Sequence, residues 1–175
     1  MQFLWLPLIL FMTAVPITHS PAEAACAGSG LSWSCTAGST SSQVQSAIDG
    51  ASDGARIVFA SGTYSGWSLT LSPSKGVTLQ GAGIDQSVVV ASGNMILLWD
   101  DSMNTTNSKK YRITGFTFQN GGDGGNMIHI SAAGGANPKT FANVRIYSNR
   151  FHNLTDGTIA IRIGTPEYKT IAAPI

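Results

Sequence analysis

The chain has 175 residues, of which only 11% are charged, and its formal net charge at pH 7 is +1. A near-neutral chain whose ten basic residues are scattered lacks the electrostatic footprint of a nucleic-acid-binding protein. The apolar fraction of 43% excludes a disordered chain. Twenty glycines among many short apolar runs predict a single all-β domain with numerous turns.

The first 24 residues have the features of a cleaved signal peptide. An almost continuous apolar run from Phe3 to Val15 is followed by prolines, and residues 22–24 give the small-x-small pattern of a cleavage site. The run is shorter than the roughly 20 residues that span a bilayer, so we expect no stable membrane span after cleavage. A membrane anchor and a lipoprotein acylated at Cys26 are the alternatives. The sequence therefore predicts a secreted protein, either extracellular or periplasmic.

The only two cysteines, Cys26 and Cys35, lie in the segment 25–41 that follows the predicted cleavage site. In an oxidising compartment we expect a disulfide between them that pins this N-terminal segment, with two free thiols as the alternative. Two cysteines cannot make a zinc site here, because His19 leaves with the signal peptide and no other histidine is near.

A short amphipathic helix is predicted over residues 42–54. Ser42 and Gln45 fit a capping box at its start, and Gly54 is suited to end it. The helix has one apolar stripe, formed by Val44, Ala47, Ile48 and Ala51. We expect this stripe to cover the exposed end of an apolar core.

Short strands without a second amphipathic helix follow, which argues against alternating βαβ units. The predicted strands are 56–60, 68–71, 77–80, 87–91, 95–99, 111–118, 127–131, 143–151 and 158–163. Loops are expected within 100–110 and 134–140.

An internal repeat of 33 residues is the strongest signal in the sequence. Residues 111–131 align with 144–164 without a gap and are identical at 8 of 21 positions. In a stack of parallel strands, such a repeat would place Phe118 on Phe151 and Asn120 on Asn153. A looser copy begins near Val77. Because helical repeats need long amphipathic helices and propeller blades need hairpins, the repeat predicts an all-β parallel β-helix solenoid over 55–164, with about three coils.

Four segments resemble the N-terminal entry to the solenoid in the pectin-lyase-like superfamily of right-handed parallel β-helix proteins. They are VQSAI at 44–48, GARIVF at 54–59, SGTY at 61–64 and GVTLQGAG at 76–83. The resemblance covers most of residues 40–164 and implies a right-handed coil. Members usually have many coils and a C-terminal cap, whereas residues 165–175 resemble an uncapped tail, so a truncated chain is expected.

The resemblance implies a protein that handles polysaccharides, and a lyase-like enzyme acting on an acidic glycan is the leading hypothesis. The superfamily also includes glycosidases, epimerases, phage tailspikes and adhesins, so a non-catalytic glycan-binding or adhesive solenoid is the second hypothesis and an inactive fragment the third. Lyases of this superfamily commonly hold Ca²⁺ with carboxylates. Asp123 and Asp156, one repeat apart, are candidate calcium ligands, and structural Asp-Gly turns are the alternative. No other cofactor and no catalytic residue can be identified.

The ligand-binding candidates are Arg112, Arg145, His129 and Arg162. Arg112 and Arg145 are one repeat apart on a strand and could bind an anionic sugar through bidentate contacts, although outward residues of this kind are often only solvated. His129 and Arg162 are also equivalent, and both are predicted to face outward between inward isoleucines. Tyr64, Trp67 and Tyr147 are candidates for stacking on sugar rings. The sequence predicts no oligomeric state.

Overall fold

The computed structural model describes residues 25–100, 106–120, 122, 124–132 and 140–164. The predicted signal peptide 1–24 and tail 165–175 therefore lie outside the described residues. The described chain contains one helix, α1 (Ser41–Gly50). Its strands are β1 (Cys26–Ser29), β2 (Ser32–Cys35), β3 (Ala55–Phe59), β4 (Gly62–Ser65), β5 (Leu69–Leu71), β6 (Val77–Gln80), β7 (Ser87–Ala91), β8 (Ile96–Asp100), β9 (Tyr111–Thr114), β10 (Phe116–Asn120), β11 (Gly125–Ala132), β12 (Val144–Tyr147), β13 (Arg150–His152) and β14 (Thr158–Ile163).

The strands form three sheets. Sheet A has the order β1-β2-β3-β6-β9-β12, sheet B has β13-β10-β7-β4, and sheet C has β14-β11-β8-β5. All neighbouring strands pair in parallel, except for the antiparallel hairpin of β1 and β2. Successive strands from β3 onward visit sheets A, B and C in turn. We call each such set of three strands a rung.

This architecture corrects the predicted fold class. The expected right-handed parallel β-helix of about three coils is wrong: the described residues form three sheets and one short helix, with no closed barrel, and sheet A begins with an antiparallel hairpin. The described residues form four rungs rather than three. The predicted number of coils is too low for two reasons. The sequence of β4 has the composition of a turn, and the predicted strands 111–118 and 143–151 are each two strands. Positive φ angles at Gly115 (79°) and Ser148 (52°) turn the chain between sheets A and B.

The 33-residue repeat does predict the register of the last two rungs. Phe118 pairs with Phe151, and their rings are stacked with centroids 5.4 Å apart. Arg112 pairs with Arg145, and the looser copy is also in register. Parallel strands displaced by one rung place equivalent side chains on each other, which is why identical residues recur at this spacing.

The expected ladder of Asn120 and Asn153 is not among the described contacts. Asn153 lies in the exposed segment after β13 with φ 54°, and the side chain of Asn120 is outside the described part of the structure. A hydrogen-bonded pair of asparagines occurs elsewhere, between Asn94 and Asn126. The amide Nδ2 of Asn126 donates to Oδ1 of Asn94 at 2.8 Å, and this bond joins two neighbouring rungs.

An aromatic cluster fills the core between the three sheets. Its rings belong to Phe59, Tyr64, Trp67, Phe116 and Phe118, each at most 1% exposed, and contacting rings have centroids 5.2–5.8 Å apart. The interpretation of Tyr64 and Trp67 as sugar-stacking residues is therefore wrong, because both point inward. Burial raises the pKa of the Tyr64 hydroxyl to about 12, and this hydroxyl donates to the Ala60 carbonyl at 2.8 Å.

Helix α1 covers the first rung, as its apolar stripe predicts, and Val44, Ala47 and Ile48 are buried. The capping box is formed by Thr40 and Gln43 rather than by Ser42 and Gln45. The side-chain amide of Gln45 instead makes the hydrogen bonds to β5 that a neighbouring strand would make. Its Oε1 accepts from the Thr70 amide at 2.8 Å and its Nε2 donates to the Thr70 carbonyl at 3.0 Å. The helix thereby closes the free edge of β5.

The predicted disulfide is confirmed: Cys26 and Cys35 are bonded to each other and face each other across the β1–β2 hairpin. Replacing both cysteines with alanine is expected to lower the free energy of unfolding by roughly 2–3 kcal/mol. The bond closes the loop from residue 26 to residue 35 in the unfolded chain and so lowers the entropy of that chain. Urea unfolding followed by circular dichroism measures the loss. Ser34→Ala on the same hairpin should change stability by less than about 0.5 kcal/mol, and an unchanged unfolding midpoint in the double variant would contradict the expectation.

Candidate functional site

The outer face of sheet A carries two columns of side chains that cross the strands. In β3 the residues alternate between buried and exposed, and Arg56 and Val58 are the exposed ones. Strand register continues these positions into the neighbouring strands. The first column is Ser32, Arg56, Thr78, Arg112 and Arg145, and the second is Ser34, Val58, Gln80, Thr114 and Tyr147. We call the first the arginine column.

The arginine column places three cations on one line perpendicular to the strands. Arg112 and Arg145 lie on neighbouring strands, so their backbones are about 4.8 Å apart, and Arg56 lies two strands, or roughly 10 Å, from Arg112. None of the positions in the two columns carries a carboxylate. The outer face of sheet A is therefore a cationic surface with regular spacing.

Hydrogen bonds hold the central guanidinium of the column in place. Nη1 of Arg112 donates to the carbonyls of Tyr111 at 2.8 Å and Asn143 at 2.9 Å. Arg56 and Arg145 are exposed, and neither makes an ion pair with any described residue. The column thus combines one oriented guanidinium with two exposed ones.

A carboxylate near the edge of this face is already paired with a lysine. Asp53, just before β3, is 2.6 Å from Nζ of Lys109, and it also accepts from the Gly76 amide at 2.8 Å. The hydrogen bond from Lys109, followed by the one from Gly76, lowers the pKa of the Asp53 carboxyl. Lys110, which directly precedes β9, is exposed and adds a further positive charge beside the column.

Tyr147 follows Arg145 on the same outer face and is 50% exposed. Of the three aromatic residues considered for sugar stacking, it is the one with an accessible ring. Its position in the second column, beside the end of the arginine column, lets a flat apolar surface lie next to the cations.

His129 and Arg162 are paired in register on sheet C, as the repeat predicts. His129 is nevertheless only 8% exposed, and its Nε2 lies 3.2 Å from the carbonyl oxygen of Gly164. The expectation that His129 faces solvent is therefore wrong, whereas Arg162 is half-buried. Since these residues belong to sheet C, they do not join the arginine column on sheet A.

The calcium pair predicted from the repeat stays a prediction. Asp156 lies in an exposed turn, and Asp123 is outside the described residues. Within the described ranges, no group of three or more His, Cys, Asp or Glu side chains is arranged to hold a metal ion.

Asp85, in the turn before β7, belongs to a separate charge cluster next to sheet B. Its carboxylate accepts from the Thr117 hydroxyl at 2.9 Å and from Nη1 of Arg150 at 2.7 Å. The Thr117 hydrogen bond, together with Arg150, lowers the pKa of this carboxyl. Unlike the arginine column, this cluster is balanced in charge.

A pocket of about 270 Å³ lies beside the turn that precedes β9. It is lined by Pro73, Ser74, Asp100, Thr106, Asn107, Ser108 and Lys109. Asp100 is 4% exposed and accepts from Nδ2 of Asn107 at 3.1 Å. Among the described residues that line it, Asp100 is the single acid.

No family model matches the sequence, and no curated protein or solved structure matches it either. The resemblance to the pectin-lyase-like superfamily thus stays a prediction from the sequence. Within the described ranges, no helix is long and apolar enough to cross a membrane.

Proposed function

We propose that this protein is a secreted binder of acidic polysaccharides. It binds them on the outer face of sheet A and does not cleave them. The observation that carries the proposal is the arginine column, Arg56, Arg112 and Arg145, on a face whose two columns contain no carboxylate. The predicted signal peptide and the Cys26–Cys35 disulfide support secretion.

A linear polyuronate fits this surface because its carboxylates recur at regular intervals along one direction. With the glycan lying along the column, each guanidinium can donate two hydrogen bonds to one carboxylate. Arg112 is oriented before the ligand arrives, which reduces the entropy lost on binding. Tyr147 offers its ring to a sugar face at the end of the column.

Binding on such an exposed surface depends on several weak contacts acting together. A single exposed ion pair contributes up to about 1 kcal/mol and is screened by salt. We therefore expect affinity that rises with the length of the glycan and falls steeply as the ionic strength increases.

Replacing Arg56 and Arg145 with glutamine is expected to weaken binding of polygalacturonate or alginate by about tenfold at low salt, because two of the three charge contacts are lost. Isothermal titration calorimetry with the purified protein measures the change. Arg162→Gln removes the same charge from sheet C and should leave the affinity within about twofold of the wild type.

Equal affinity of the double variant and the wild type would contradict the proposal. The same samples, incubated with Ca²⁺ and followed by ultraviolet absorbance, test the hypothesis of a lyase-like enzyme. Accumulation of unsaturated sugar ends would support that enzyme, whereas retention of an intact glycan supports the binder.

A further inference from the structure

The segment that joins β13 to β14 contains an asparagine in an N-glycosylation triplet. Asn153, Leu154 and Thr155 fit the pattern Asn-x-Ser/Thr, in which x is any residue except proline. A second triplet begins at Asn104, which lies outside the described residues. Because so short a pattern also occurs by chance, the surroundings of Asn153 decide whether it is suited to carry a glycan.

The other asparagines whose side chains the structure describes use them in hydrogen bonds. In Asn149, Nδ2 donates to the Ile113 carbonyl at 2.8 Å and Oδ1 accepts from the Phe116 amide at 3.0 Å. The remaining asparagines with side-chain hydrogen bonds are Asn94, Asn107, Asn126 and Asn143. None of these five asparagines is in a glycosylation triplet.

Asn153 differs from these asparagines in both respects. Its side chain is exposed and makes no hydrogen bond with the described part of the chain. The four residues that follow it, 154–157, are exposed as well. Its φ of 54° lies in the left-handed region, which asparagine tolerates better than most residues. The fold therefore presents Nδ2 of Asn153 to solvent, where a bulky polar group displaces no contact.

We propose that Asn153 is an acceptor for N-glycosylation in the secreted protein. Nδ2 forms a bond to C1 of the first sugar of a lipid pyrophosphate-linked oligosaccharide, while the bond from C1 to the pyrophosphate oxygen breaks. The lipid pyrophosphate leaves, and Nδ2 gives up one proton to a base of the transferring enzyme. This inference rests on the secretion that is part of the proposed function.

The position of Asn153 is compatible with binding of an acidic glycan on sheet A. The segment 153–157 joins a strand of sheet B to a strand of sheet C, and none of its residues belongs to sheet A. The arginine column lies on the outer face of sheet A. Glycosylation of Asn153 therefore requires no contact of the arginine column to be lost.

Peptide mapping of the protein secreted by a eukaryotic host tests the proposal. The full chain is expressed once with its own residues 1–24 and once with a host signal peptide in their place. Peptide N-glycosidase converts each glycosylated asparagine to aspartate, so mass spectrometry of the treated peptides locates the glycan. We expect this conversion at position 153 in both proteins.

Two variants separate the triplet from the local backbone. Asn153→Gly removes the acceptor and suits the positive φ, so we expect this variant to fold and to lack one oligosaccharide. Thr155→Ser is the matched control, because it keeps the triplet and the hydroxyl that donates to the Gly122 carbonyl at 3.2 Å. We expect it to keep the oligosaccharide.

An unmodified Asn153 in the protein secreted with the host signal peptide would overturn the proposal. A glycan at Asn104 alone would overturn it as well. Conversion at position 153 only in the protein with the host signal peptide would support the glycosylation site and contradict the predicted signal peptide. The failure of this site and the failure of the proposed secretion are thus distinguishable.

Discussion

Replacing Phe118 with alanine is expected to lower the free energy of unfolding by about 3–5 kcal/mol. The Phe118 side chain is completely buried, and its ring contacts those of Phe116 and Phe151 at centroid distances of 5.6 Å and 5.4 Å. Ladder hydrogen bonds fix the strands on both sides, so the structure cannot collapse into the cavity that alanine leaves. Urea unfolding followed by circular dichroism measures the loss.

Phe151→Ala is the matched control, because Phe151 occupies the same column one rung later. Its side chain is only partly buried, and within the described sheet no strand covers it on the far side. We expect a loss of about half that of Phe118→Ala, since less apolar surface returns to water. Equal losses for the two variants would contradict the assignment of Phe118 to the middle of the stack.

Replacing Gly125 with alanine is expected to destabilise the protein by about 2–4 kcal/mol, the second largest effect. Gly125 has φ 104°, and a Cβ there would lie 2.4 Å from Cα of Gly93 in the neighbouring rung. The Gly93 atoms that this Cβ would meet are backbone, so the clash can be relieved only by separating the rungs. The unfavourable φ contributes to the loss as well. The variant's urea midpoint measures the combined effect.

Gly93→Ala separates the two causes of this destabilisation. Gly93 also has a positive φ, 77°, but a Cβ there would have nothing within 4 Å. Only the conformational penalty remains, and we expect a loss of about 1 kcal/mol. If Gly93→Ala and Gly125→Ala destabilise the protein equally, close packing between the rungs is not the reason that glycine is needed at 125.

The register of the last two rungs could be predicted because side chains that stack on each other recur at a constant spacing. Phe118 and Phe151 illustrate this. The same reasoning could not find β4, since Ser61-Gly62 has the composition of a turn and Gly62 nevertheless begins a strand. The sequence contains two overlapping capping-box patterns, which begin at Thr40 and at Ser42, and the pattern alone does not show which one forms. In the structure the Gln45 side chain is bonded to Thr70, so it does not take part in a capping box with Ser42.

Part of the candidate site could also be predicted. Arg112 and Arg145 could be identified as candidates because the two best copies of the repeat contain them. Arg56 was missed because the spacing between equivalent residues changes from 22 at Arg56 and Thr78 to 34 and then 33 in the later rungs, as loops differ in length. The prediction that His129 faces solvent was wrong for another reason. An alternating pattern assigns a side chain to a face of the sheet, but it does not show whether that face is covered.

The most direct test of the central claim is to map a bound acidic oligosaccharide on the protein by NMR. On adding an oligogalacturonate, we predict changes in the Nε–Hε signals of Arg56, Arg112 and Arg145 and in the amides of β3, β9 and β12, with sheets B and C unaffected. Changes confined to the pocket around Asp100, or to sheet C near Arg162, would contradict the assignment of glycan binding to the outer face of sheet A.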